Sequence, residues 1–116
     1  MSENPETFLP LSPAILHILV ALAGEDRHGY GIMQEIARQS EGKYKIGPGT
    51  LYDNIQKLLE QGIVEESAHR AADDDPRRRY YRLSRFGRRI LSAEITRLET
   101  VVQEARLYLR PSGSRS

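Results

Sequence analysis

From Ala14 to Ala23 the chain is apolar at every position except His17. Ser12 and Pro13 ahead of the run supply an N-cap and a first-turn proline, and Gly24 ends it, so the pattern predicts a helix. At ten residues the run is too short to cross a bilayer, for which ~20 are needed. A helix apolar on nearly all sides must be covered on several faces, which is more than one small domain usually offers. It calls for other helices and points to a second subunit. Ile32, Met33, Ile36 and Ala37 then form a single stripe between Gly29 and Ser40, an amphipathic second helix with Gly42 breaking the pattern. Gly47-Pro48-Gly49 opens a third helix, residues 48–61, which closes at Gly62. Leu51, Ile55, Leu58 and Leu59 fall within about a third of its circumference and form the core face. Gly49, Thr50, Asp53, Gln56, Lys57 and Glu60 lie opposite, with Tyr52 and Asn54 on the flanks.

The period then changes from helix to strand. Ile63 to His69 reads as one strand and Arg78 to Leu83 as its partner, with Tyr80-Tyr81 supplying β propensity and Arg79, Tyr81 and Leu83 sharing a face. Arg70 to Arg77, with three Asp and Pro76 between, makes a long polar hairpin tip. Ser84 caps a last helix reaching Leu109, in which Leu91, Ile95, Leu98, Val102, Ala105 and Leu109 step by 4, 3, 4, 3 and 4. That is a heptad seam, and a seam of this length needs a partner helix. The fold class is therefore mainly α with a small β-hairpin (α+β), in the order of the winged helix-turn-helix followed by a long dimerisation helix. The expected organisation is a flexible arm over residues 1–11, a DNA-binding domain over 12–83, a dimerisation helix over 84–110 and a disordered tail over 111–116.

Composition narrows the function. At 116 residues, 39% apolar and 28% charged, the chain suits one soluble domain and excludes a wholly disordered or membrane-embedded protein. Cysteine is absent, which removes disulfides and thiolate chemistry. No basic leader precedes the first helix, so a cytoplasmic location without membrane association is expected. The net charge of +1 argues at first against nucleic acid. Counted by segment, however, residues 1–69 carry 5 basic against 10 acidic side chains, and residues 70–116 carry 12 against 6. Seven of those cations, Arg77, Arg78, Arg79, Arg82, Arg85, Arg88 and Arg89, fall within 13 residues that contain no acid. An all-arginine cluster suits phosphate recognition, because the guanidinium fork matches phosphate oxygens. An enzyme is disfavoured: no catalytic residues are recognisable, and Gly47-Pro48-Gly49-Thr50 lacks the lysine of a phosphate loop. His17, His28 and His69 show no metal-ligand spacing, so neither metal nor cofactor is expected.

Four motifs in order carry a family resemblance: His28-Gly29-Tyr30-Gly31-Ile32, Gly49-Thr50-Leu51-Tyr52, Leu58 to Val64 (LLEQGIV), and Arg79 to Leu83 (RYYRL) with Ser84 and Gly87. Together, over roughly residues 13 to 109, they resemble the PadR family of bacterial transcriptional regulators, and the single C-terminal helix resembles its short subgroup. The resemblance implies a homodimer that sets a winged helix-turn-helix on double-stranded DNA, usually as a repressor. It also implies a flat cavity at the dimer interface able to take a small apolar or aromatic effector, against which stands a filled, purely structural interface. Two departures stand out. Asp53-Asn54 occupies the place where the family commonly has Pro-Ala, and Asp73, Asp74 and Asp75 precede the wing arginines. Asp53 has three readings: acceptor from cytosine N4, orienter of Lys57, or repulsion toward phosphate. The acidic tip is expected to point away from the DNA or to move.

Candidate DNA contacts follow. Lys43 and Lys45 precede the positive end of the third helix. Gly49, Thr50, Gln56 and Lys57 are groove candidates, Gln suiting adenine and Lys guanine. Tyr52 either donates to a phosphate or packs under the wing. Arg77, Arg78 and Arg79 either contact the backbone or minor groove or protect a strand edge, and Arg79 has a further reading as partly buried. Gly29 and Tyr30 read as structural, a tight entry and a core aromatic. The seam residues Leu91, Ile95, Leu98, Val102, Ala105 and Leu109 are the dimerisation candidates. The competing function is a winged-helix module for small-molecule sensing or protein interaction without strong DNA binding, kept open by the acidic first half.

Overall fold

A computed structural model describes residues 4–68 and 75–110. Helix α1 (Pro13–Gly24) begins where its local chemistry dictates, with the Ser12 hydroxyl accepting from the Ile15 N–H at 3.2 Å. A two-residue strand β1 (Arg27–His28) leads into α2 (Gly29–Gln39), and His28 serves both: its Nδ1 accepts from the Gly31 N–H at 3.0 Å, capping the helix. Glu41, not Gly42 alone, turns the chain out of α2, with φ of 56° and 77° at the two residues. Their N–H groups close onto Arg38 O and Ala37 O at 3.2 and 2.7 Å. The left-handed conformation at a glutamate costs about 1–2 kcal/mol, which those two bonds offset.

Helix α3 (Pro48–Glu60) ends in the same motif with a glycine in the strained place. Gly62 has φ of 73°, its N–H donates to Leu59 O at 3.1 Å, and Ile63 N–H donates to Leu58 O at 2.9 Å. Strands β2 (Val64–Ser67) and β3 (Tyr80–Leu83) pair antiparallel with Val64 opposite Leu83 and Ser67 opposite Tyr80. On the other side of β3, Arg27 pairs with Tyr81 and His28 with Tyr80, so the expected two-stranded hairpin is a three-stranded sheet of order β1-β3-β2. His69 and the acidic tip residues Asp73 and Asp74 lie outside the described residues, as does the tail from residue 111.

The core is the meeting of these apolar faces: Ile18, Leu19 and Leu22 of α1, Ile32 and Ile36 of α2, and Leu51, Ile55 and Leu58 of α3, closed by Ile63, Val64, Tyr81, Leu83 and Ile90. Within the arm expected over residues 1–11, the described residues Asn4 to Leu11 contact the rest of the chain. Pro5–Phe8 form a 3-10 helix, the Phe8 ring meets Phe86 edge-on with centroids 5.6 Å apart, and the Leu11 N–H donates to Glu94 Oε2 at 3.0 Å. The acceptor lies 83 residues away in sequence, out of reach of any local pattern.

The long helix α4 (Arg85–Leu109) is capped by Ser84, whose hydroxyl accepts from Gly87 N–H at 2.9 Å and donates to Gly62 O at 2.6 Å. A Cβ on Gly87 would overlap the Ile63 carbonyl, so this glycine lets the start of α4 lie directly against the turn that joins α3 to β2. Gly87, Ile90 and Glu94 are buried; every residue from Glu99 to Arg110 is exposed. Of the seam, Leu91 and Leu98 are half-buried, whereas Ile95, Val102, Ala105 and Leu109 stand exposed, Leu109 at 78%.

Candidate nucleic-acid interface

The outer face of α3 presents Gly49, Thr50, Tyr52, Asp53, Gln56, Lys57 and Glu60 to solvent. Asn54 turns inward enough to donate to Thr50 O at 2.9 Å, and Gln56 donates to Glu60 at 3.3 Å, a bond weak enough to exchange for another partner. Gly47 caps α3 without a side-chain bond of its own. The preceding loop is pinned by Tyr44, stacked on His17 with ring centroids 4.3 Å apart, and by Ser40 Oγ, which accepts from Tyr44 N–H at 3.0 Å. Lys43 and Lys45 on either side of that anchor are exposed.

The wing arginines are held by weak surface partners. Arg77 pairs with Asp75 at 3.1 Å, Arg79 with Glu66 at 3.6 Å and Arg82 with Glu65 at 3.0 Å. Exposed pairs of this kind contribute about 0–1 kcal/mol, so exchanging a carboxylate for a phosphate costs little. Arg79 is 71% exposed and not buried on the Tyr81–Leu83 face: it precedes β3, and its side chain reaches the exposed Glu66 of β2. β3 is the central strand, so the arginines at its entry do not guard a sheet edge.

Between α3 and the wing lies a cleft of about 300 Å³. Tyr52 enters it from α3; Arg77, Arg78, Arg79 and Tyr81 line it from the wing; His28, Gly29 and Tyr30 line it from the start of α2. Tyr30 is therefore not a core aromatic: it is 57% exposed, because the first turn of α2 faces this cleft while Ile32 and Ile36 carry the burial. Gly29 is required by close approach, since a Cβ there would overlap the hydroxyl end of the Tyr52 ring. Burial raises the Tyr81 hydroxyl above the usual tyrosine range, with nearby Tyr52 adding to the effect, so Tyr81 remains a neutral donor.

The cleft thus unites Tyr52 with Arg77, Arg78 and Arg79, four of the candidates read from sequence. Lys57 lies elsewhere, lining a second depression of about 270 Å³ with Phe8, Pro10, Asn54 and Gln61 beside the N-terminal segment. His28 and Tyr30 were not legible as site residues, because the two-residue strand that presents His28 carries no periodicity of its own and Tyr30, in the first turn of α2, lies outside the apolar stripe of that helix. Among the described residues no cluster of His, Asp or Glu is placed to hold a metal ion, and no helix is long and apolar enough to cross a membrane.

Comparison with known proteins places this geometry in context. The model of the transcriptional regulator PadR-like family matches residues 15–93. The transcriptional regulator Rv3488 of Mycobacterium tuberculosis is 35% identical over 89 residues, covering 77% of this chain and 78% of that protein. Among solved structures, a PadR family transcription regulator from Clostridium difficile superimposes with a TM-score of 0.70 at 17% identity, covering 84% of this chain and 99% of that one. Bacillus subtilis PadR, solved in complex with operator DNA, superimposes with a TM-score of 0.62 at 17% identity over 74% of this chain and 48% of its own.

Proposed function

The chain belongs to the PadR-like family of transcriptional regulators, which are not enzymes, and on that premise we propose that it acts as a homodimeric repressor on a pseudo-palindromic operator. Residues 12–83 form the DNA-binding unit and residues 84–110 the dimerisation helix. The observation that carries the reading is the cleft in which Tyr52 of α3 meets Arg77, Arg78 and Arg79 of the wing. With α3 in the major groove, Thr50 and Gln56 reach base edges, while Tyr52 and the arginines take the adjoining backbone. Lys43, Lys45 and the first turn of α3 at Gly49, whose N-cap Gly47 supplies no side-chain bond, suit a phosphate at the start of α3. Lys57 belongs at the margin of the contact, beside the N-terminal segment. The structurally similar Bacillus subtilis PadR was solved in complex with operator DNA, which supports the DNA-binding reading.

Dimerisation is supported by the apolar grooves along α4: about 310 Å³ beside Leu91 and Ile95, and about 460 Å³ beside Leu98 and Val102. Two copies of the seam, with α1 contributing, would fill them. An apolar or aromatic effector that displaces the dimer from DNA would occupy the same grooves.

Arg77→Ala with Arg78→Ala is expected to weaken binding to every duplex and to flatten log affinity against log salt by about two units. Thr50→Ala or Gln56→Ala is expected to change sequence preference instead. An unchanged salt slope in the arginine variant would overturn the wing assignment. The exposed acids Asp53 and Glu60 favour the second reading, a sensing or protein-interaction module; failure to shift random duplex at low salt would select it.

A further inference from the structure

His17 is the one polar residue in the apolar run Ala14 to Ala23, and it takes no part in the cleft between α3 and the wing. It is half-buried on α1, beside the fully buried Ile18 and Leu19, and its ring lies flat on that of Tyr44, with 13° between the two planes. An aliphatic side chain at this position would cover Tyr44 but would offer no flat face to fix the plane of its ring.

Tyr44 stands in the loop between α2 and α3. Ser40 clamps its backbone from both sides, since Ser40 Oγ accepts from the Tyr44 N–H and donates to the Tyr44 carbonyl at 3.1 Å, while the Lys43 N–H donates to Ser40 O at 3.0 Å. From Lys43 onward exposure alternates: Lys43, Lys45 and Gly47 face solvent, whereas Tyr44 and Ile46 are half-buried against the core. Where sides alternate, whatever fixes the inward ring also fixes the direction of the outward lysines. Only Ile46 and Gly47 separate Lys45 from Pro48, the first residue of α3. Because α1 buries Ile18, Leu19, Ala21 and Leu22, the stack refers this loop directly to the core.

We propose that His17 and Tyr44 are positioning residues for DNA binding: their stack holds Lys43 and Lys45 toward the phosphate that meets the first turn of α3. Lysine reaches a phosphate on a long flexible stem, so fixing where that stem starts removes part of the ordering cost of the contact. The inference rests on the DNA-binding reading above and adds to it a role for α1, exerted through Tyr44.

The test measures affinity against salt for the full chain on a duplex selected from a random pool, at a temperature where circular dichroism shows every variant folded. His17→Ala is expected to lose about tenfold in affinity and to lower the slope of log affinity against log salt by about one to two, because the phosphate contacts of two cations loosen together. His17→Phe keeps a flat ring over Tyr44 and is expected to restore both. Tyr44→Leu keeps an apolar contact with the core but no ring face, and should repeat the alanine result. In a Lys43→Ala with Lys45→Ala background, His17→Ala should cost nothing further, whereas in Arg77→Ala with Arg78→Ala its cost should be undiminished. An unaltered salt slope in either His17→Ala or Tyr44→Leu, no rescue by phenylalanine, or a full additional loss in the lysine background would overturn the positioning role. Wild-type affinity in the lysine variant would overturn it as well and leave the wing contacts standing. A wild-type chain that binds no duplex would overturn the DNA-binding reading itself.

Discussion

At Gly29 a single hydrogen in place of a methyl decides where the Tyr52 ring lies. The Tyr52 ring lies where a Cβ would be, although the backbone there is helical and would accept alanine. Gly29→Ala is therefore expected to leave the fold intact, since Tyr52 is 47% exposed and can swing outward, but to displace its hydroxyl from the cleft. Affinity for DNA should fall about fivefold, the worth of one hydrogen bond, with little change in melting temperature. In a Tyr52→Ala background the same change should have no further effect; a full additional loss would show that Gly29 acts on something other than Tyr52. The HGY segment was legible as a motif, but a motif does not say which atom needs the missing side chain. That depended on Tyr52, which arrives from another helix.

Among the elements, α2 is tied to its surroundings by one carboxylate. Glu35 accepts from Arg38 at 2.7 and 3.0 Å and from Gln39 at 2.7 Å, and Arg27 at the start of the sheet stands 3.6 Å away. These contacts, Arg38 first, lower its pKa to about 2. A depressed carboxylate binds fewer protons folded than unfolded, so its contribution is present above the ordinary value of 4.5 and is lost as pH falls toward 2. Glu94, held low by Arg97 and the Leu11 N–H against its burial, adds in the same direction. Glu35→Gln is expected to flatten the fall in melting temperature over that range, and an unaltered acid limb would show that Glu35 does not set it. α1, α3 and α4 were readable because their signals are local: Ser12-Pro13, Pro48 with Gly62, and Ser84 each act within a turn. β1 was not, since two residues show no alternation and exist as a strand only through Tyr80 and Tyr81. The contacts of the N-terminal segment were not readable for the same reason, since Phe8 and Leu11 meet Phe86 and Glu94 from the far end of the sequence.

Across the whole molecule, polarity is distributed by role. The first three helices and the sheet bury their apolar faces within the chain, while α4 carries Ile95 (40% exposed) and Val102 (45%) into solvent. In the proposed dimer these are interface positions. Ile95→Asp with Val102→Asp is expected to give a folded monomer in sedimentation, and to reduce affinity for a two-half-site operator about a hundredfold through lost avidity while sparing a half-site. A dimer surviving both charges would place the interface elsewhere. The junction at Gly87 gives this assembly a mechanical property. With the first turn of α4 lying directly against the Ile63 carbonyl, and Glu94 fastened to Leu11, the helix is held to its own domain at two points. It behaves as a lever about 37 Å long. A rotation of about 5° at its far end displaces the DNA-reading end by about 3 Å, close to the rise of one base pair. In the proposed dimer the angle at which two copies cross would thereby be converted into a separation along the DNA, and a ligand that altered the crossing would change which operator spacing fits without touching a residue of the wing.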